Sequence, residues 1–119
     1  MALFGFRIRD PARDRRTDDE RFRQLCRLLG DFRSGIERER DGLRSRHDSV
    51  MANAAFSQQA FEDDRGNVDI SSRIDDMTET MIRYGKRIAT LERQIAFIAD
   101  LERQSVAFVA EEGKAEEAR

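Results

Sequence analysis

The sequence predicts an all-α fold. Two long helices form an antiparallel coiled-coil hairpin, two copies dimerise into a four-helix bundle, and a non-helical N-terminal arm precedes them. Three observations predict it. Charged and hydrophobic residues each make up 39% of the 119-residue chain, which has one proline and no tryptophan. That balance fits solvated helices carrying an apolar stripe better than a compact globule. Apolar residues recur at steps of three and four over two separate stretches, the period of a helix seam rather than a strand. Between them lies EDDRGNVD, residues 62–69, whose Gly66 and Asn67 carry turn chemistry.

The arm is residues 1–16. In MALFGFRIR, Phe4, Phe6 and Ile8 alternate with Gly5, Arg7 and Arg9, a strand period. Such a segment docks on a partner's sheet edge or groove, folds back over its own bundle, or stays loose. Pro11, beside Asp10 and a run of arginines, argues against continuous helix here.

The first helix is expected over residues 17–62. TDDE, residues 17–20, reads as a capping box, with Thr17 taking a backbone N–H and Glu20 reaching back. The seam then runs Phe22, Leu25, Leu29, Phe32, Ile36, Leu43 and Val50, with Glu39, Arg46 and Asn53 as polar interruptions. Gly30, Gly35 and Gly42 weaken the helix by about 1 kcal/mol each relative to alanine. A break at Gly30, with Asp31 capping a new helix, is the alternative. Gly35 and Gly42, one heptad apart, leave room for a partner backbone. The pattern drifts to Ala54 and Phe61 before a loop at 63–70.

The second helix is expected over residues 71–112, with Asp69, Ser71 or Ser72 as cap. Ile74, Met77, Met81, Tyr84, Ile88, Leu91, Ile95 and Ile98 fill successive seam positions without a polar intruder. Strict continuation puts Glu102 and Ser105 on the seam. An eleven-residue step, about three turns, instead maps Ile95 to Val106, Ile98 to Val109 and Phe97 to Phe108. The echo of LERQ-AFIA in LERQ-AFVA then marks a packing register and not a duplicated ligand site. Gly113 suits a C-cap, with residues 113–119 frayed.

Charge supports the hairpin. Residues 1–47 carry a net +4 and residues 48–119 a net −6, so an antiparallel pairing sets a basic helix against an acidic one. Leu28, Phe56, Phe97, Leu101 and Phe108 lie beside the seam and widen the apolar face beyond what one partner helix covers. A homodimer or higher homo-oligomer, with further protein partners, is therefore expected. The expected assembly residues are Leu25, Leu29, Phe32, Ile36 and Leu43 against Ile74, Met81, Ile88, Leu91, Ile95 and Ile98.

No catalytic, cofactor or metal residue is expected. His47 is the sole histidine and Cys26 the sole cysteine, which argues against a zinc set or an intrachain disulfide. The acidic loop departs from a calcium loop because Arg65 occupies a ligand position. The arginines at 21, 23, 27, 33, 38, 40, 44 and 46 scatter around the helix among acids, a solvated face rather than a nucleic-acid stripe. No stretch approaches the ~20 apolar residues of a membrane span, and a cytoplasmic location is expected. The functional expectation is a non-enzymatic coiled-coil scaffold or adaptor. On architecture alone, stalk components or chaperones of bacterial secretion and flagellar export machinery offer a second class. A nucleic-acid or membrane-surface binder using the basic half is a third.

Overall fold

A computed structural model describes residues 10–118. Helix α1 spans Pro11–Asp63 and helix α2 spans Val68–Glu117. They pack against each other as an antiparallel hairpin. Two packing units divide the described residues: 10–33 with 97–118, and Ser34–Ala96.

The helix boundaries depart from the sequence expectation, each for a local reason. α1 starts at Pro11 and not at Thr17. Asp10 is the cap: its Oδ1 accepts from the Ala12 N–H at 3.0 Å, and its carbonyl accepts from the Asp14 N–H at 3.0 Å. Proline is suited to the first helical position, where its missing N–H has no helical partner. Thr17 is thus inside the helix, and its hydroxyl donates to the Arg13 carbonyl at 3.0 Å. Of the expected arm, residues 10–16 are cap and helix; Phe4, Phe6 and Ile8 lie outside the described residues.

The connection is Asp64 to Asn67, half the expected loop of 63–70. The Asn67 N–H donates to the Asp64 carbonyl at 3.1 Å and closes the turn. Asn67 also caps α2, its Oδ1 accepting from the Ile70 N–H at 3.2 Å. This role had been expected of Asp69, Ser71 or Ser72. An asparagine reached from the turn itself starts α2 earlier. At the far end α2 runs through Gly113 to Glu117, beyond the expected stop at 112. α1 also passes through Gly30 without a break. Glycine there costs helix propensity, and packing overrides a cost of that size.

The inward faces define the register. On α1, one half-buried or buried line is Phe22, Leu29, Ile36, Leu43 and Val50. The other is Cys26, Arg33, Arg40, His47 and Ala54, one place beyond the expected Leu25, Phe32, Glu39, Arg46 and Asn53. Leu25 and Phe32 are exposed instead. On α2 the expected inward positions Ile74, Met81, Ile88, Leu91, Ile95 and Ile98 are all half-buried or buried. The line then continues in strict heptads through Glu102, Ser105 and Val109. Of the eleven-residue mapping, Val109 is half-buried as Ile98 is, but Val106, mapped from Ile95, is 61% exposed.

The shift has a physical cause in the first unit. Arg33 on α1 and Glu102 on α2 are both half-buried. The Arg33 Nε donates to Glu102 Oε1 at 2.6 Å and its Nη2 to Oε2 at 3.4 Å. A two-pronged arginine–carboxylate pair has strong directional preference, so the polar place on one helix selects a polar place on the other. Ser105 satisfies its hydroxyl within α2 by donating to the Leu101 carbonyl at 2.9 Å.

Candidate functional site

Little of the chain's apolar surface is hidden in the hairpin. Among the described residues, the buried hydrophobics are Leu91, 1% exposed, and Leu29, 8% exposed. Two helices meet along one line, so each seam side chain keeps an edge in solvent. Larger apolar side chains remain outside, and in the first unit the exposed ones other than Val106 gather on one side.

The ring contact that fixes the sides is Phe22 with Phe108, centroids 5.1 Å apart and planes 29° from parallel. Phe22 belongs to the Phe22–Leu29 edge of the α1 seam, so Phe108 marks the flank of α2 on that edge. Leu25 lies three residues after Phe22 and four before Leu29, which places it beside the same edge. Leu28 and Phe32 continue outward from it by helical spacing. On α2, Phe97, Leu101 and Phe108 share a stripe at steps of four and seven. Both helices thus contribute apolar side chains to one flank of this unit. Phe32 is 56% and Phe97 64% exposed, and Leu25, Leu28 and Phe108 are exposed too.

The opposite flank is built differently. There an open hollow of about 390 Å³ is lined by Asp19, Phe22, Arg23, Cys26, Val106 and Val109. Cys26 is a free thiol facing it. A second hollow of about 370 Å³ borders Val106 and includes Glu102, Arg103, Ala107 and Ala110. On this side Asp19, Arg23, Glu102 and Arg103 stand among the apolar Phe22, Val106 and Val109, whereas the exposed side chains named on the other flank are all apolar.

Ion pairs bridge the helices. In the first unit Arg15 pairs with Glu116 and Arg33 with Glu102. In the second, Arg44 pairs with Glu92, and Arg87 Nε donates to Glu39 Oε2 at 2.7 Å. Three of these four place an α1 arginine on an α2 glutamate, the polarity anticipated from the charge asymmetry. The Arg87 hydrogen bond, helped by its charge, holds the Glu39 carboxyl below the usual carboxylate range.

The remaining singled-out residues have structural settings. His47 is half-buried on the α1 seam, with Nδ1 3.8 Å from Asp48 Oδ1. Arg40 bends its guanidinium to Asp41 Oδ1 at 3.0 Å. The acidic loop is the tight turn described above, with Asn67 Nδ2 donating to Asp64 Oδ2 at 3.3 Å. Sequence reasoning flagged Leu28, Phe97, Leu101 and Phe108 as flanking residues but assigned Leu25 and Phe32 to the hairpin seam. Arg33 as a partner for Glu102 was missed, although opposite charges on the two expected seams offered a signal.

No helix among the described residues is long and apolar enough to cross a membrane. Comparison of the chain with family models, curated proteins and solved structures finds no match.

Proposed function

We propose that this chain is a non-enzymatic helical scaffold or adaptor that self-associates and presents helical surface to protein partners. The observation that carries the reading is the imbalance between buried and exposed apolar side chains. Among the described residues, the hairpin buries Leu29 and Leu91 and leaves Leu28, Phe32, Phe56, Phe97 and Phe108 in solvent. A folded chain of this size ordinarily buries a far larger share of its bulky side chains, and contiguous apolar surface marks an association site. Helix-on-helix packing is the mode such a surface supports, with anchors at steps of three, four and seven.

Light scattering across a concentration series tests it. The expected result is a mass of at least two copies of the 13.8 kDa chain, with helicity that falls on dilution. A single-copy mass and unchanged helicity at every concentration would contradict it.

A further inference from the structure

We propose that the apolar flank of the first unit is the face on which a second copy of this chain docks. Its named surface is Leu25, Leu28 and Phe32 of α1 with Phe97, Leu101 and Phe108 of α2. The inference deepens the self-association reading above and rests on it.

Charge distribution is the first support. In a chain with 39% charged residues, the two outer lines of this flank hold none between Leu25 and Phe32 or between Phe97 and Phe108, with Asp18, Arg21 and Glu111 at their ends. On α1 they run Leu25, Leu28, Phe32; on α2 the positions between Phe97 and Phe108 at the same spacing are Leu101 and Gln104. Depletion of charge with enrichment of aromatics is the compositional mark of an interface core. The other flank of the same unit mixes Asp19, Arg23 and Arg103 with the apolar lining of its hollows.

Area is the second support. Aromatic side chains bury ~150–250 Å² each when fully covered. At the exposures of Leu25, Leu28, Phe32, Phe97 and Phe108, with Leu101 half-buried among them, these side chains leave on the order of 500 Å² of apolar surface per copy. Two copies bring about 1,000 Å², and at the ~65% apolar share of homodimer interfaces this implies about 1,500 Å² in all, the size of a stable interface.

The thin core identifies the occupant. With Leu29 and Leu91 the buried hydrophobics among the described residues, the first unit gains further burial from whatever covers this flank. The cover must be present whenever the chain folds, and a second copy always is. A two-fold pairing sets the same flank against itself, so each phenylalanine ridge meets leucines and phenylalanines of its partner.

The test compares three charge insertions by light scattering and circular dichroism on the full chain. Phe32→Glu and Phe97→Glu are expected to weaken dimerisation roughly a hundredfold, since each buries an unpaired carboxylate. Val106→Glu, equally exposed but on the opposite flank, is expected to leave the dimer unchanged. Phe32→Ser and Phe97→Ser, which remove a ring without adding charge, are expected to weaken it less and in the same order. A wild-type dimer that survives both phenylalanine variants, or that Val106→Glu dissociates as strongly, overturns the docking face while self-association stands. A wild-type chain of single-copy mass overturns both.

Discussion

The arginine–glutamate pair inside the first unit shows how single residues set the register. Arg33 and Glu102 are each about a third exposed or less, so solvent screens the pair only in part. Removing one partner, as in Glu102→Ala, is expected to cost about 1 kcal/mol, above a surface pair and below a fully buried one. Replacing both with leucine is expected to stabilise by about 1–2 kcal/mol, because apolar contact replaces two partly desolvated charges. Urea unfolding of the two single variants and the double variant checks both signs. Glu39 makes a separate prediction. Its folded carboxyl titrates below its ordinary range because Arg87 donates to it, so its contribution is present above the unfolded value and disappears as pH falls through the folded one. Stability curves of wild type and Glu39→Gln, separated at neutral pH, are therefore expected to converge on acidification. Curves that stay parallel would show that the pair gives nothing in solution. Leu91→Ala, at the most buried site, is expected to cost about 2–5 kcal/mol in the same assay.

Each helix owes its limits to short-range chemistry that sequence periodicity does not carry. Asp10 and Pro11 open α1, and Asn67 opens α2. Asn67→Ala is expected to destabilise by about 1 kcal/mol and Asn67→Asp by much less, since aspartate keeps the accepting oxygen. Within α1, Gly42 has open space where a Cβ would stand. Gly42→Ala is thus expected to raise stability by up to about 1 kcal/mol through helix propensity. A loss instead would place another backbone against that position. Two long helices, their antiparallel pairing and the whole Ile74–Ile98 line were legible because strong apolar repeats encode them. The second α1 line was not. Leu25 and Phe32 have seam spacing and greater bulk than Cys26 and Arg33 one place along, and spacing alone does not say which line meets a partner within the chain. The inward line is the one whose arginine answers Glu102. The same ambiguity hid the docking flank, because an apolar line displaced from the seam belongs to something outside the hairpin.

At the scale of the whole molecule, the two apolar lines of α1 divide the work. Leu29, Ile36 and Leu43 line the hairpin seam, and Leu25, Leu28 and Phe32 stand outside it on the face proposed for a second copy. The proposed docking couples folding to assembly, and on it the thermal midpoint is expected to rise with protein concentration, as for any dimer whose dissociated form is less stable. A midpoint independent of concentration would separate the two. The division requires that α1 and α2 of one chain pair in the register described. Cys26, the sole cysteine, and Val109 line the same hollow from opposite helices, so Val109→Cys allows a direct reading. Mild oxidation of that variant is expected to give an intramolecular crosslink at the mass of one chain under denaturing conditions. A crosslink found only between chains, or none at all, would contradict the hairpin register on which the assignment of both faces depends.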